Sequence, residues 1–219
     1  MKELHVHEIT GHSLVHAKDI PALLDENHIK FQAIDCVNWN AYPYRPEVEF
    51  RMAHTGEAIL LNYRVKEESV RAVAAEDNGR VWEDSCCEFF FQLPEDQEEN
   101  IYYNFECNCG GTLLIGGGRP GDRPHAPLEI TRKVDRWTSL DKAPFEERMG
   151  ECSWQLALCI PKEAFFRHQL KGFKGMTARA NFYKCGDKQH TPHFLSWNKI
   201  DLPEPCFHCP EFFGKILFE

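Results

Sequence analysis

The feature that most constrains the fold is a series of short apolar or alternating runs separated by turn residues. Such runs cover residues 31–39, 48–54, 58–65, 70–75, 86–93, 101–108, 112–115, 128–134, 153–160, 178–185 and 212–218. Short strands spaced by about 8–12 residues are typical of sandwiches and barrels. We therefore predict an all-β fold, an antiparallel two-sheet β-sandwich of the jelly-roll or immunoglobulin type with roughly ten strands.

Two short helices are expected beside these strands. Ile20–Asp25 carries a proline in its first turn, and Pro161–His168 begins with one, which suits a helix N-terminus. All-β sandwiches of about 200–250 residues commonly form one domain, and no repeat or linker interrupts the 219 residues of this chain. We predict a single domain over residues 1–219, with residues 1–45 as an N-terminal extension packed on the sandwich.

Two glycine-containing segments between the predicted strands indicate turns. Asp77-Asn78-Gly79 is a hairpin-type turn signal. Gly116–Pro127 is rich in Gly, Pro and Arg, and we predict a long loop there, a type of loop that is often functional. The three consecutive glycines that open it do not indicate a phosphate-binding loop, because no Lys-Ser/Thr pair or helix signal follows them.

The charge of the chain argues against several classes of partner. The formal net charge is −9 and basic residues are scattered, so no basic stripe is present for nucleic acid or an anionic membrane surface. No run approaches the 18 apolar residues of a membrane span. The N-terminal Met1–Glu8 lacks the apolar region of a signal peptide, which predicts a cytoplasmic protein. A small uncharged ligand fits this balance.

The ten cysteines allow two interpretations. An even number in a secreted chain would suggest disulfides, whereas cysteines within apolar strands of an intracellular chain are reduced thiols, which we favour. Cys206 and Cys209 have the spacing of one half of a zinc site but no second pair follows. His5-x-His7 is better explained as a solvated arm. We predict no metal and no cofactor, haem included.

Three stretches resemble one known family. Val81–Phe91 reads Val-Trp-Glu-Asp-Ser-Cys-Cys-Glu-Phe-Phe-Phe, Ser153–Pro161 reads Ser-Trp-Gln-Leu-Ala-Leu-Cys-Ile-Pro, and Ser196-Trp197 is followed by Phe207–Gly214. In this order and spacing they resemble the family 9 carbohydrate-binding modules, in a β-sandwich superfamily that also holds sugar- and haem-binding DOMON domains. The resemblance covers residues from about 47 to 219 and implies a β-sandwich that binds sugar.

The resemblance also implies the residues of a binding site. In sugar-binding members, a terminal mono- or disaccharide is stacked between two aromatic rings while carboxylate and amide groups bind its hydroxyls. The ligand-binding residues implied in this chain are Trp82, Glu88, Glu106, Asn181, Glu204 and Phe207. Two of them depart from the family pattern, since Phe207 is a smaller platform than Trp and Glu106 stands where the family has a cation.

Three functions follow as alternatives. The first is carbohydrate binding linked to carbohydrate catabolism; the others are a glycan-active hydrolase and a structural or partner-binding sandwich. Asp84 and Glu88 share a strand face, but side chains four positions apart on a strand lie about 13 Å apart. Paired glycosidase carboxyls stand about 5–10 Å apart, so we predict no catalytic residues here. Whether the chain is an enzyme stays open, with a glycoside hydrolase-associated role as the enzymatic alternative.

Overall fold

The computed structural model describes residues 1–12, 14–96, 98–140 and 144–219. Its strands are β1 (Glu3–Val6), β2 (Gln32–Ala33), β3 (Cys36–Val37), β4 (Glu47–His54), β5 (Ala58–Ala72), β6 (Cys86–Gln92), β7 (Tyr102–Asn108), β8 (Leu113–Gly118), β9 (Asp135–Thr138), β10 (Phe145–Pro161), β11 (Thr177–Cys185), β12 (Phe194–Ser196) and β13 (Gly214–Phe218). Its α-helices are α1 (Ile20–Glu26) and α2 (Leu128–Thr131). Single 3₁₀ turns lie at Ala17–Asp19, Val81–Glu83, Pro94–Asp96, Lys162–Ala164 and Pro210–Phe212.

The strands form two sheets, which confirms the predicted all-β two-sheet sandwich. In the first sheet the order is β1-β13-β11-β6-β7-β8, with β12 paired to β11 and to β3. In the second sheet the order is β2-β4-β5-β10-β9. The pairing is antiparallel except between β1 and β13, which run parallel. No helix within the described ranges is long and apolar enough to cross a bilayer.

Aromatic side chains join the two sheets in the core. Because successive side chains on a strand point to opposite faces, Phe89 of β6 and Phe182 of β11 both point inward and stack with ring centroids 5.1 Å apart. Phe50 of β4, in the other sheet, stacks on Phe182 with centroids 3.6 Å apart. All three rings are fully buried. The alternate side chains of β6 and β11 point away from this core, on the outward face of the first sheet.

A charged network is buried between the sheets. Lys184 Nζ of β11 lies 2.8 Å from Glu67 Oε2 of β5, and both side chains are fully buried. Trp154 Nε1 donates to the other carboxylate oxygen over 2.7 Å. His193 Nδ1 donates to the Thr191 carbonyl over 3.0 Å, so Nε2 accepts the bond from Lys184 Nζ at 2.7 Å. The network links strands of both sheets through polar side chains.

The N-terminal residues contribute strands to both sheets. β1 pairs with β13 and β3 pairs with β12 in the first sheet, while β2 pairs with β4 in the second. Between them, α1 forms as predicted, with Pro21 in its first turn. Its buried face, with Ile20 and Leu24, packs against Leu60 and Ala157 on the outside of the second sheet.

Several predicted element types are wrong, each for a local reason. The two strands predicted over 58–65 and 70–75 are one strand, β5, which pairs along most of its length with β10. The strand predicted over 128–134 is instead the short helix α2, which begins directly after Pro127. The helix predicted over Pro161–His168 is reduced to a single 3₁₀ turn.

The Asp77–Gly79 turn leads from β5 in one sheet to β6 in the other, so it closes no hairpin.

The three glycines predicted to open a loop form the end of β8 instead. Glycine is required there because neighbouring groups approach the backbone closely. A Cβ on Gly116 would lie 2.5 Å from Asn104 Oδ1, and one on Gly118 would lie 2.1 Å from the Asp122 carbonyl oxygen. Because these glycines have no side chains, Asn104 and the backbone of Asp122 can pack directly against this end of β8.

All ten cysteines are unpaired thiols, and their exposure differs. Six are buried, and Cys36, Cys152 and Cys159 are half-buried. Burial raises the pKa of each of these three half-buried thiols. Cys206 alone is exposed.

Candidate functional site

A pocket of about 420 Å³ opens on the outward face of the first sheet. Its floor consists of side chains from β6, β7, β8 and β11, and the loop between β12 and β13 forms one wall. It is lined by Trp82, Glu88, Asn104, Glu106, Leu114, Gly116, Arg123, His125, Cys185, Asp187, Phe194, Pro205, Cys206, Phe207 and His208. Small-molecule sites commonly have volumes of about 300–1,000 Å³, so the pocket suits a small ligand.

Two aromatic residues from distant parts of the chain line this pocket. Trp82 lies in the 3₁₀ turn before β6, and Phe207 lies in the loop between β12 and β13. Both are half-buried. The Phe207 ring stacks on Tyr183 of β11, with centroids 4.1 Å apart and planes inclined by 7°. One face of Phe207 is therefore covered by Tyr183, which holds the ring in place.

Two carboxyl groups form part of the pocket floor. Glu88 of β6 and Glu106 of β7 are directly opposite each other in the strand pairing and are 3% and 4% exposed. Burial raises the pKa of Glu106 to about 7, although Asn104 Nδ2 donates to its Oε1 over 2.8 Å. Burial also raises the pKa of Glu88 well above its ordinary value, and the nearby Cys185 and Glu106 add to this.

The two other predicted site residues lie outside the pocket lining. Asn181 is fully buried. Its Oδ1 accepts the Asn198 N–H over 2.9 Å and its Nδ2 donates to the Asn198 carbonyl over 3.2 Å. Asn181 thus fixes the start of the loop that carries Phe207. Glu204 is exposed on the same loop, next to the lining residue Pro205.

The pocket contains a cation that the sequence analysis missed. Arg123 comes from the segment after β8, and its guanidinium lies 3.7 Å from the centre of the Tyr102 ring. It donates to the carbonyls of Tyr102 and Gly118 over 3.0 and 2.7 Å, and to Asn104 Oδ1. Its buried Nε donates to no described residue. The Gly/Pro/Arg-rich composition of the segment 116–127 indicated a functional loop, but it did not indicate that Arg123 in particular lines a pocket.

Asp84, the other acid of the predicted strand face, is structural. Its carboxylate accepts the N–H groups of Val73 and Ala74 over 3.0 and 2.9 Å. The carboxylate also accepts a hydrogen bond from Asn108 Nδ2, and it lies 3.2 Å from Arg71 Nε. All of these contacts are within the protein, so Asp84 braces the connection between β5 and β6.

A second cleft, of about 700 Å³, lies on the outer side of the second sheet. Its lining includes the charged side chains Glu47, Glu49, Arg64 and Lys66, and its aromatic residue, Trp154, is 2% exposed. A ligand there would meet a charged surface with almost no aromatic area. The first pocket, with half-buried rings above buried carboxyls, is the better candidate for a neutral ligand.

Fold and pocket together define a two-sheet β-sandwich with a ligand-sized site on one sheet face. The sequence profile of carbohydrate-binding family 9 matches residues 18–218. The chain belongs to carbohydrate-binding family 9. No curated protein shows significant similarity to it.

Solved structures agree with this assignment. A candidate carbohydrate-binding protein from Bacteroides uniformis is 56% identical, with a TM-score of 0.96 over 100% of this chain and 99% of that chain. A family 9 module from Caldicellulosiruptor kristjanssonii in complex with glucose is 13% identical, with a TM-score of 0.61 over 100% of this chain and 96% of its own. Its complex with cellotriose is 12% identical, with a TM-score of 0.62 over 100% and 94%. These last two show similarity of fold.

Proposed function

We propose that this chain binds a neutral saccharide, a terminal mono- or disaccharide, in the pocket beside Trp82 and Phe207. The observation that carries the proposal is that one pocket brings together two aromatic rings, the opposed carboxyls Glu88 and Glu106, and the Arg123 guanidinium. Membership of family 9 and the glucose and cellotriose complexes of related modules support it. A role in carbohydrate catabolism is proposed on family membership alone.

The lining residues suit the two kinds of surface on a sugar. A pyranose has an apolar C–H face that packs on an aromatic plane, and the exposed side of Phe207 and the Trp82 ring offer such planes. Its hydroxyls need hydrogen-bond partners when they leave water. Glu88 and Glu106 can accept such bonds, and the Arg123 guanidinium, which lines the same pocket, brings hydrogen-bond donors to it.

The affinity should be modest. A disaccharide has about 23 non-hydrogen atoms, and at roughly 0.3 kcal/mol each the binding free energy is about −7 kcal/mol. This corresponds to a Kd on the order of 10 μM.

Calorimetric titration with glucose, cellobiose and cellotriose tests the proposal. We expect saturable binding to at least one sugar, and a loss of about 10-fold or more in affinity in Trp82→Ala, because aromatic contact area is lost. Trp137→Ala is the matched control, since Trp137 packs on the outside of the other sheet. No binding to any sugar, or unchanged binding in Trp82→Ala, would reject this site.

Sugar affinity should increase between pH 6 and pH 8. Burial raises the pKa of Glu106 to about 7, so roughly one tenth of the carboxyl is ionised at pH 6 and nine tenths at pH 8. The ionised form is the stronger acceptor for hydroxyls, and we expect an increase of up to about 10-fold. The same titrations in Glu106→Gln should show no such pH dependence, and an equal dependence in the variant would contradict the role of Glu106.

Glycoside hydrolysis is a second candidate, favoured by the opposed carboxyls. Directly opposite residues in an antiparallel pair have Cβ atoms about 4.5–5.5 Å apart, and retaining glycosidases have carboxyls about 5–5.5 Å apart. The strand register places Glu88 and Glu106 directly opposite each other, an arrangement compatible with a carboxyl separation of this order, unlike the spacing of Asp84 and Glu88. Release of nitrophenol from aryl glycosides, abolished in Glu106→Gln, would establish hydrolysis; binding without turnover would leave the chain a binding module.

A further inference from the structure

Two thiols and a carboxyl form one cluster at the floor of the pocket, where Glu88 and Cys185 line the pocket and Cys86 is buried beneath them. Cys86 of β6 and Cys185 of β11 are directly opposite each other in the strand pairing, and Glu88 is two residues further along β6 on the same face. Their ligand atoms all lie within 4.8 Å of one another. Cys185 Sγ and Glu88 Oε1 are 3.0 Å apart. All three residues are at most 3% exposed.

The surroundings of this cluster are acidic. The other ionisable groups that act on the Glu88 carboxyl are Glu106 and Asp187, which also line the pocket. Arg123 acts on Glu106. Several potential anions thus share a buried site where a negative charge is costly without a partner. A bound cation would offset that cost.

We propose that Cys86, Glu88 and Cys185 bind a thiophilic divalent cation, for which Zn²⁺ is the best match, with the fourth position open to the pocket. Zinc prefers thiolate and carboxylate ligands in tetrahedral geometry, at about 2.3 Å for sulfur and 2.0–2.2 Å for oxygen. Those lengths place the ligand atoms of a tetrahedral site about 3.5–3.8 Å apart, which lies within the spread of this cluster.

The open fourth position faces groups that can complete the coordination. The pocket gives an ion a path from solvent, and Asp187 lines it on the side of Cys185. Three protein ligands with one open position is the arrangement of catalytic rather than structural zinc sites, in which water or substrate takes the fourth position. The site goes beyond saccharide binding. Cys86 and Cys185 belong to the metal site alone, whereas Glu88 is shared with the proposed saccharide site, so the two thiols distinguish the two proposals.

Cobalt(II) is the probe that reports thiolate ligation directly. The full chain is reduced, treated with a chelator, freed of both reagents and titrated with Co²⁺ without oxygen. We expect one ion per chain, a thiolate-to-cobalt charge-transfer band in the near ultraviolet, and the intense visible bands of tetrahedral cobalt. Addition of one equivalent of Zn²⁺ should remove these bands, since zinc binds such ligands more tightly than cobalt.

Substitution of individual cysteines shows which of the ten thiols bind the ion. Cys86→Ser and Cys185→Ser should each weaken Co²⁺ binding by at least about 100-fold, because even outer contacts of metal ligands contribute 10–100-fold. Glu88→Gln should weaken it while leaving the charge-transfer band. Cys206→Ser is the matched control, since this exposed thiol also lines the pocket. If a serine variant fails to fold, Cys86→Ala and Glu88→Gln give the same comparison.

Three results would overturn the proposal: no charge-transfer band in the unmodified chain, a band that persists in Cys185→Ser, or a band lost in Cys206→Ser. A sugar titration of the metal-free chain is run in parallel. Failure of sugar binding with an intact cobalt spectrum would reject the proposed saccharide function and leave the metal site standing. The reverse result would reject the metal site alone.

Discussion

Lys184→Met is expected to lower the free energy of unfolding by about 3–5 kcal/mol. Methionine fills a similar volume but removes the ammonium that lies 2.8 Å from Glu67 Oε2. The Glu67 carboxylate would then be buried without its cation, keeping only the Trp154 N–H. Breaking a buried pair from one side costs much more than the pair itself contributes, because the remaining charge stays out of water.

Urea unfolding of the purified variant measures this loss. Lys66→Met is the matched control, since Lys66 precedes Glu67 on the same strand and forms a half-exposed ion pair with Glu151. Exposed pairs are worth about 0–1 kcal/mol. The double variant Lys184→Met/Glu67→Gln should recover part of the loss, because Gln leaves no buried charge. Equal, small losses in the two lysine variants would show that the buried network contributes little.

Glu106→Gln is expected to stabilise the metal-free protein at pH 8 by about 3 kcal/mol while weakening sugar binding by about 10-fold or more. The pKa of Glu106 is raised from 4.5 to about 7 by burial. As pH rises from 4.5 to 7, the unfolded chain releases this proton while the folded chain retains it, so folded stability falls. This loss of folded stability is complete above pH 7 and absent below pH 4.5. The Glu106→Gln variant has no ionisable proton at this position, so it does not lose stability in this way. The side-chain carbonyl of the new Gln can still accept the hydrogen bond from Asn104.

Thermal and urea unfolding at a series of pH values check this result. The stability difference between the two proteins should grow from pH 4.5 to 7 and then level off. Glu49→Gln, on an exposed position of a strand in the other sheet, is the control and should change stability by less than about 0.5 kcal/mol. A gain independent of pH, or sugar affinity equal to that of the unmodified chain, would contradict the roles assigned to this carboxyl.

The sequence predicted the parts of the fold that leave a periodic signal. The alternation along 86–91 placed Phe89 and Phe91 inward and Glu88 outward, as the structure has them. β1, β9 and β12 contain only 4, 4 and 3 residues, too few for a recognisable period. Their pairing depends on partners far along the chain.

The site was predictable only through the family resemblance, and then in part. Trp82 and Phe207 lie far apart in the sequence, and nothing local indicates that they line one pocket. Whether Glu88 faces Glu106 depends on the register between β6 and β7, which a single sequence does not specify. The resemblance placed a cation at position 106, whereas the structure has a different cation, Arg123, in the same pocket, where it arrives from the segment that follows β8.

The distribution of the ten thiols makes this protein easy to label at one place. Alkylating reagents attack thiolates that solvent can reach, and nine of the ten cysteines are buried or half-buried. Cys206 remains, and it lies next to Phe207 at the mouth of the pocket. An environment-sensitive dye attached there, without any engineered cysteine, would report directly when the pocket fills.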